Sequence, residues 1–370
     1  MKIVETGILN AGETGGRRAV STFPSFAVVG EDTLLTTYRV GSTKDCDDEN
    51  VELRRSTDNG RTWGDPTPFP ATTVGGMRGG LKLCYLTLLR PGHLIAAAMW
   101  VNHEMYPGKP LFNTQTEGCL PMSILLADSH DSGRTWSPWR VVPMPEEIGP
   151  PSLTNPILRL ADGTLAMSIE TNKPYEDKSP WFQRVVYLYS KDGGKTWSAP
   201  VTTAQDPSRR IFYWDQRAGV APNGTLVTFS WTYDRQANSY LNIHRNSSRD
   251  NGRSWTGFQD LRFADQGSHP AILPDGRIVI AWVDRFQTAS IRARLATGID
   301  APFLAETEVV LYEHKKDAQS GDSTGELLEQ MGLWSYGLPF AEALSNGDVL
   351  IGYYAGTDAR MDCRWSRLRV

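Results

Sequence analysis

The chain has 370 residues, of which 40% are hydrophobic and 22% are charged, so it is long enough to bury a large core. Its formal net charge of −4 provides no large basic field for holding nucleic acid or an anionic membrane surface. No apolar stretch approaches the length of a membrane span, and residues 1–7 lack the apolar segment of a signal peptide. We therefore expect a soluble, cytoplasmic protein.

An eight-residue motif, S-x-D-x-G-[RK]-[TS]-W, recurs four times and is called the Asp box below. The copies lie at residues 56–63, 129–136, 190–197 and 248–255. The Asp carboxylate accepts hydrogen bonds from N–H groups of its own loop, and the Gly adopts a positive φ at little cost. The Trp leaves the turn and packs between sheets. The motif therefore predicts closed β-hairpins. It gives weaker support for calcium binding, since an EF-hand loop needs a longer run of oxygen ligands.

A second feature is a turn dipeptide before each of six short apolar runs. These dipeptides are Asp32-Thr33, Pro91-Gly92, Asp162-Gly163, Asn223-Gly224, Asp275-Gly276 and Asn346-Gly347. Turn residues flanked by apolar residues are strong hairpin signals. Six of them predict an all-β, six-bladed β-propeller that forms a single domain over residues 1–370.

The predicted blades follow from the spacing of these turns. They cover residues 20–70, 75–143, 150–203, 211–262, 267–312 and 333–370. The strand near residues 3–9 is expected to complete the last blade beside residues 365–370, because a closed ring leaves no exposed edge. The polar stretch 313–329 is expected to be a long loop or a short helix.

With these repeats the sequence resembles the sialidase (neuraminidase) superfamily, the BNR or Asp-box glycosidases, over essentially its whole length. The resemblance implies a six-bladed propeller with substrate bound at the centre of the ring. It also implies a tyrosine nucleophile primed by a carboxylate, a loop Asp as acid/base, and three arginines that hold the sugar carboxylate. Asp boxes are specific for this fold and much less so for an activity.

The loop after the second predicted strand of blade one resembles the family loop that carries the acid/base residue. Asp45 falls at that position, and Arg39 resembles a pocket arginine just ahead of it. The neighbouring Asp47 and Asp48 are expected to raise the pKa of Asp45, which suits a general acid. An acidic, solvated loop is an equally good reading of the same residues.

Blade four opens with a segment in which Asp215 occupies the position of the family's priming glutamate. An aspartate there is expected to polarise the nucleophile, although its carboxylate is drawn back by one methylene. A strand-end residue that caps a turn is the alternative. Trp214 is either a core residue, which is favoured, or a platform for a sugar ring. Arg217 is a spare arginine that could enter the pocket.

Blades five and six supply the remaining candidates. Tyr336 lies in a segment similar to the family's tyrosine-bearing strand, with an offset from the turn that is two residues longer. It is the predicted nucleophile. Arg285 resembles a pocket arginine with Asp284 as its partner, and a surface ion pair is the alternative. His269 is predicted to donate a hydrogen bond to substrate.

Two of the family's three arginines are absent from their expected positions. Thr22 stands where the first arginine is expected, and no arginine is in register after the fourth-blade hairpin, although Arg235 is close. Threonine cannot replace a guanidinium fork, so the sequence argues against sialic acid itself. Spare arginines that could enter the pocket from elsewhere are Arg17, Arg18, Arg78 and Arg217.

Metal and cofactor signals are weak. The four cysteines are scattered without a C-x-x-C pair, so neither a zinc ribbon nor a disulfide framework is indicated, and reduced thiols are expected. His103 and His269 lack the short spacing of metal ligands. No dinucleotide fingerprint, P-loop or Ser-His-Asp motif is present. We expect no cofactor and no metal.

Together these observations favour an exo-acting, sialidase-like glycoside hydrolase that releases an acidic or neutral terminal sugar. The expected partner is thus a carbohydrate substrate, rather than nucleic acid or a membrane. The alternatives are a non-hydrolytic glycan-binding propeller or a polysaccharide lyase, motivated by Thr22 and by the longer offset of Tyr336. A protein-interaction platform fits any propeller. The sequence does not predict an oligomeric state.

Overall fold

The computed structural model describes residues 1–315 and 323–370, and the regular secondary structure of this part of the chain consists almost wholly of antiparallel strands. Within these ranges no helix has the length and apolarity needed to cross a membrane. The strands follow one another along the chain as meanders, each of which pairs its strands mainly in sequence order.

The first strands lie at residues 2–68. They are β1 (Lys2–Asn10), β2 (Val20–Val28), β3 (Leu34–Gly41), β4 (Asn50–Ser56) and β5 (Thr67–Pro68). Strands β2 to β5 pair in that order and antiparallel. All eight residues of β3 are buried. This burial on both faces means that the strand is covered by other sheets and is not a surface strand.

Two five-stranded sheets follow. The first contains β6 (Thr73–Val74), β7 (Met77–Arg90), β8 (His93–Asn102), β9 (Met122–Ser129) and β10 (Arg140–Val141). The second contains β11 (Ser152–Leu153), β12 (Leu158–Arg159), β13 (Leu165–Glu170), β14 (Arg184–Ser190) and β15 (Val201–Gln205). The two sheets are joined by a hydrogen bond of 2.7 Å from the Thr87 hydroxyl to the carbonyl oxygen of Ile157.

Two further five-stranded sheets repeat the pattern. One contains β16 (Ile211–Val220), β17 (Leu226–Asp234), β18 (Ser239–Tyr240), β19 (His244–Ser248) and β20 (Gln259–Asp260). The other contains β21 (Gln266–Gly267), β22 (Ala271–Ile272), β23 (Ile278–Asp284), β24 (Ser290–Ala296) and β25 (Phe303–Glu313). In β16 a bulge lies between Trp214 and Arg217, and it becomes important for the site.

The last elements are one helix and three strands. They are α1 (Thr324–Leu333), β26 (Tyr336–Ala343), β27 (Val349–Thr357) and β28 (Arg360–Arg369). The Ser323 hydroxyl caps α1 by accepting from the N–H of Glu326 at 3.2 Å. The short helix expected within 313–329 is therefore present, while residues 316–322 of that stretch lie outside the described residues.

The two chain ends share one sheet. Strand β1 pairs antiparallel with β28, from Lys2 opposite Arg369 to Asn10 opposite Cys363, as the sequence predicted for residues 3–9 and 365–370. A single parallel bridge between Val20 and Met361 links this group to β2. The strand runs fall close to the predicted segment bounds. The number of blades and the closure of a ring stay predictions.

The Asp box has the geometry that its residues predict. In the first copy the Asp58 carboxylate accepts from the N–H groups of Arg61 and Thr62 at 3.0 and 2.9 Å. The Ser56 hydroxyl donates to Asp58 and accepts from Gly60, whose φ is +83°. Burial opposes ionisation of Asp58, but hydrogen bonds from Ser56 and Thr62 outweigh it and lower the pKa to about 2. These carboxylates are occupied in closing their own turns.

Aromatic side chains fill the spaces between adjacent sheets. Phe69, next to β5, lies 5.5 Å from Trp136 of the second Asp box, measured between ring centroids. Tyr187 of β14 lies 5.7 Å from Trp255 of the fourth Asp box. The four cysteines are all free thiols. The core is therefore held by apolar packing between sheets.

Candidate functional site

A cavity of about 200 Å³ lies among side chains from several sheets and from α1, and we call it the inner cavity. Four tryptophans form much of its wall. They are Trp181, Trp214, Trp231 and Trp334. Large aromatic surfaces combined with a few converging polar groups are typical of small-molecule sites. The polar groups come from strands and loops of the five sheets in the described part of the chain.

Asp45 lines the inner cavity from the loop between β3 and β4. Its carboxylate lies 2.6 Å from the Lys82 ammonium of β7 and accepts the N–H of Leu111 at 3.1 Å. Burial opposes ionisation of Asp45, but Lys82 outweighs it and lowers the pKa below its ordinary value. The expectation that Asp47 and Asp48 would raise this pKa is therefore wrong, because the dominant neighbour is a cation from another sheet.

The same ammonium belongs to a buried network behind Asp45. Lys82 lies 3.1 Å from Glu49, and Glu49 also pairs with Arg39 at 2.5 Å and with His103 at 3.2 Å. Burial alone would raise the pKa of Glu49, but Lys82 and Arg39 lower it to about 2. Arg39 is fully buried here, and its Nε donates to the Thr22 hydroxyl at 3.0 Å. Arg39 thus supports the loop of Asp45 from behind the cavity wall.

Asp215 reaches the inner cavity from the bulge in β16. Its φ of +46° is a conformation that side-chain-bearing residues rarely adopt, which is typical of a strained position at a functional site. Its carboxylate pairs with Arg217 at 2.7 Å and accepts from the Gln266 amide at 2.6 Å. Arg217 in turn donates to the Tyr85 hydroxyl at 2.7 Å. Asp215 and Arg217 therefore lie together in the site.

Glu170, at the end of β13, is a cavity residue that the sequence reasoning missed. It is buried, and its Oε1 accepts the N–H of Gln216 in the bulge at 3.0 Å. Burial, reinforced by the neighbouring Asp215 carboxylate, raises the pKa of Glu170 to about 8. The available signal was an acidic residue at the end of an otherwise apolar strand.

Arg285 lines the cavity, but its partner differs from the one expected. Its guanidinium stacks on the Trp334 ring, with Cζ 3.9 Å from the ring centroid. It lies 3.4 Å from Asp265 and donates to Gln266 at 2.7 Å. Asp284 instead accepts from the N–H of Gln287 at 3.0 Å, so the expected pairing of Asp284 with Arg285 is wrong.

The structure does not bring Tyr336 to the inner cavity. Its ring stacks on His314 at 4.6 Å, and its hydroxyl is buried without a hydrogen-bond partner among the described residues. Tyr354 of β27 lines the cavity instead. Burial raises the pKa of Tyr354 to about 12, although Arg285 and Arg39 partly offset this effect.

The other predicted binding residues lie in different settings. Trp214 lines the cavity and also stacks on Tyr233 at 4.7 Å. Arg78 lies outside the cavity, with a side chain that is 86% exposed and 3.7 Å from Glu104. His269 lies behind the wall, where its Nδ1 is 3.0 Å from the Asn155 amide oxygen.

His269 is also uncharged in this setting. Its ring stacks on Phe340 at 4.5 Å, and burial together with Arg217 lowers its pKa to about 3. Among the spare arginines outside the cavity, Arg18 pairs with Glu52 and Arg235 with Glu117. Neither Arg18 nor Arg235 lines the inner cavity.

Helix α1 covers one side of the cavity and is tethered to the loop of Asp45. The Lys44 ammonium donates to the carbonyl oxygens of Met331 and Trp334 at 2.5 and 2.9 Å, at the C-terminal end of α1. A cation is favourable there because the helix dipole places partial negative charge at that end. Burial, with Arg285 and Arg39 nearby, lowers the pKa of Lys44 well below its ordinary value.

A second cavity of about 690 Å³ adjoins the first, and we call it the outer cavity. The two share a boundary formed by Lys44, Asp45, Pro110, Glu329 and Gly332. Across residues 1–315 and 323–370, no group of three or more His, Cys, Asp or Glu side chains is arranged to hold a metal ion. The ionisable side chains at the boundary are the Lys44 amine and the carboxyl groups of Asp45 and Glu329.

The sequence is similar to a known repeat family and to a known protein. A family model described as the BNR/Asp-box repeat matches residues 188–199, around the third Asp box. A sialidase of Bacteroides fragilis (strain YCH46) is 28% identical over 214 residues, which are 52% of this chain and 36% of that protein. The chain thus matches little more than a third of the length of this curated relative.

Solved structures match along nearly the whole chain. A protein of unknown function from Dyadobacter fermentans DSM 18053 has a TM-score of 0.72 at 20% identity, covering 99% of each chain. The intramolecular trans-sialidase from Ruminococcus gnavus matches with a TM-score of 0.66 at 14% identity, and the match covers 99% of this chain and 97% of that protein. The NanB sialidase from Streptococcus pneumoniae matches with a TM-score of 0.65 at 11% identity, and the match covers 98% of this chain and 70% of that protein. At these identities the likeness establishes a shared fold.

Proposed function

We propose that this chain, which contains a BNR/Asp-box repeat and resembles sialidases, is an exo-acting glycoside hydrolase that releases a terminal sugar held in the inner cavity. The relatives named above that carry an activity are sialidases or intramolecular trans-sialidases. The glycan-binding and lyase alternatives gain no support from them. The main observation in support of hydrolysis is that Asp45 lies on the boundary between the two cavities.

The proposed scaffold is one closed domain of six blades over residues 1–370. Its support is the series of antiparallel meanders, together with the pairing of β1 and β28 in the sheet that also contains β2. A ring of this kind directs its innermost strands and their loops toward one central site. Asp45, Glu170 and Asp215 come from three different sheets and line the same cavity, as such a ring requires.

We assign the terminal sugar to the inner cavity and the rest of the substrate to the outer cavity. The glycosidic oxygen then lies at their boundary, beside the Asp45 carboxyl group. Asp45 donates a proton to this oxygen as the bond to the anomeric carbon breaks, and later takes a proton from the attacking water. Because Lys82 lowers the pKa of Asp45, its protonated form becomes abundant only in acid, so we expect kcat/KM to rise as the pH is lowered from neutrality.

Tyr354 and Asp215 are assigned to the anomeric carbon. The Tyr354 oxygen forms a bond to this carbon while its proton passes to the Asp215 carboxylate. Water, which gives a proton to Asp45, then attacks the carbon, and the proton on Asp215 returns to the Tyr354 oxygen as the sugar–tyrosine bond breaks. The support is that both residues line the inner cavity and that the Asp215 charge acts on the pKa of Tyr354. Arg217 and Gln266 hold the Asp215 carboxylate in place.

The test is hydrolysis of a panel of 4-methylumbelliferyl glycosides by the wild type and by Asp45→Asn. We expect at least one glycoside to be cleaved, with a loss of about 10²–10⁴-fold in kcat for Asp45→Asn. Asp65→Asn, at an exposed position away from both cavities, serves as the matched control and should keep wild-type rates. Wild-type turnover no higher than that of Asp45→Asn across the panel would count against the proposal.

A further inference from the structure

The cations that line the inner cavity already have anionic partners. Lys82 pairs with Asp45 at 2.6 Å, and Arg217 pairs with Asp215 at 2.7 Å. The side chains of these two cations are only 5% and 4% exposed. A substrate carboxylate is normally held by an open guanidinium fork, and breaking a buried pair to free one costs several kcal/mol. Neither cation is therefore available to a carboxylate on the sugar.

The remaining basic groups near the cavity are also engaged. Arg285 lies against Asp265 and Gln266 and is stacked on Trp334, with 1% of its side chain exposed. Arg39 is paired with Glu49 behind the wall. Lys44 donates to two carbonyl oxygens, and burial lowers its pKa well below its ordinary value. The cavity therefore presents little net charge to a ligand.

Glu170 differs from the other buried carboxyl groups of the cavity because it has no cationic partner. No Lys, Arg or His nitrogen of the described residues lies within 4.0 Å of its carboxylate. Its Oε1 is occupied by the N–H of Gln216. With a pKa raised to about 8 by burial and by Asp215, the group carries a proton at pH 7. It can then donate one hydrogen bond and accept others.

We infer that the inner cavity takes an uncharged sugar and that Glu170, as a neutral carboxylic acid, donates a hydrogen bond to one of its hydroxyl groups. The inference rests on the proposed function for its choice of a sugar as ligand. The four tryptophans of the wall suit the apolar faces of a sugar ring, and the paired cations exclude a sugar carboxylate. Glu170 is thus the specificity-determining residue of the site.

The inference predicts how binding depends on pH. The charged groups that face Glu170 are Asp215 and Arg217 from β16, and across the cavity Asp45 with Lys82, Lys44, Arg285 and Glu329. If only the protonated Glu170 binds the sugar, the affinity falls about tenfold between pH 7 and pH 9. A variant at position 170 is needed to separate the titration of Glu170 from that of the other charged groups of the cavity.

The experiment is isothermal titration calorimetry at pH 7 and pH 9 with methyl glycosides of galactose, fucose and rhamnose, and with N-acetylneuraminic acid. Glu170→Gln keeps a neutral donor and an acceptor for the N–H of Gln216, so it should bind the same neutral glycoside without the tenfold loss at pH 9. Glu170→Ala should lose at least tenfold in affinity at pH 7. Glu306→Gln, at an exposed position in β25, should keep the wild-type pH dependence.

Each outcome decides the matter. A neutral glycoside whose affinity falls at high pH in the wild type but not in Glu170→Gln supports the inference, even if no glycoside is hydrolysed, which would refute only the proposed function. The inference is overturned if the acidic sugar binds more tightly than every neutral glycoside, or if Glu170→Gln retains the loss at pH 9. It is also overturned if no glycoside binds. Hydrolysis of a sialoside would overturn it while leaving the hydrolase proposal standing.

Discussion

Lys82 connects the candidate acid/base residue to the buried network, so its replacement tests the electrostatics of the site. Lys82→Met removes the ammonium that lies 2.6 Å from Asp45 and 3.1 Å from Glu49. Breaking a buried ion pair by removing one partner costs about 3–5 kcal/mol, because a buried charge is left uncompensated. Asp45 is 30% exposed, and Glu49 keeps Arg39 and His103, so we expect the lower end of this range, about 3 kcal/mol.

The loss should depend on pH in a defined direction. In the wild type the pKa of Glu49 is lowered from 4.5 to about 2, so its contribution to stability is complete above 4.5 and is lost as the pH falls through 2. Removing Lys82 weakens this lowering. The difference between wild type and Lys82→Met should therefore be full at pH 7 and should shrink below about pH 4.5.

The measurement is urea unfolding followed by tryptophan fluorescence at pH 7 and at pH 3. Lys178→Met is the matched control, because Lys178 is exposed and has no ion pair within 4.0 Å among the described residues. A loss for Lys82→Met no larger than for Lys178→Met would refute the reasoning. So would a loss of the same size at both pH values.

Three further results are expected. Asp58→Ala should lower the free energy of unfolding by about 1–3 kcal/mol, because the turn N–H groups lose their acceptor. In urea unfolding at several pH values this loss should fade between about pH 4 and pH 2, where wild-type Asp58 is protonated. Tyr354→Phe should lower kcat on the best glycoside by at least about 10²-fold, and Tyr336→Phe should leave it nearly unchanged; the reverse order would contradict the assignment. Lys44→Met should speed amide hydrogen exchange in residues 324–333, measured by mass spectrometry, because two tethers of α1 are lost.

The fold features that the sequence predicted depend on local interactions. The Asp box closes through contacts within a few residues, such as those between Ser56, Asp58 and Gly60. A motif of that kind carries its own geometry wherever it occurs. The pairing of β1 with β28 followed from a general requirement, since an unpaired edge strand is unfavourable.

Side-chain direction explains the error at Tyr336. In the pairing of β26 with β27, Tyr336 lies opposite Ala355, while Tyr354 lies opposite Gly337. The two tyrosines therefore point to opposite faces of the sheet. A bulge between Gly337 and Phe340 inserts one extra residue and reverses the alternation, and Leu338 lines the cavity instead. A motif offset counted along the sequence cannot reveal such an insertion.

The electrostatic errors come from contacts between sheets. The pKa of Asp45 is set by Lys82, which is 37 residues away and on another sheet, whereas the adjacent aspartates have little effect. Arg285 pairs with Asp265, although Asp284 is its neighbour in sequence, because successive residues in an extended chain point in opposite directions. Glu170 belongs to no motif, and its importance follows only from burial beside Asp215.

The most direct test of the central claim is a crystal structure of Asp45→Asn with the best-cleaved 4-methylumbelliferyl glycoside of the panel bound intact. The proposed function and the inference for Glu170 predict the sugar ring in the inner cavity, a hydrogen bond from Glu170 to a sugar hydroxyl, and the glycosidic oxygen within about 3.2 Å of the side chain at position 45. A glycoside bound outside the inner cavity, or with its sugar ring in the outer cavity, would contradict both.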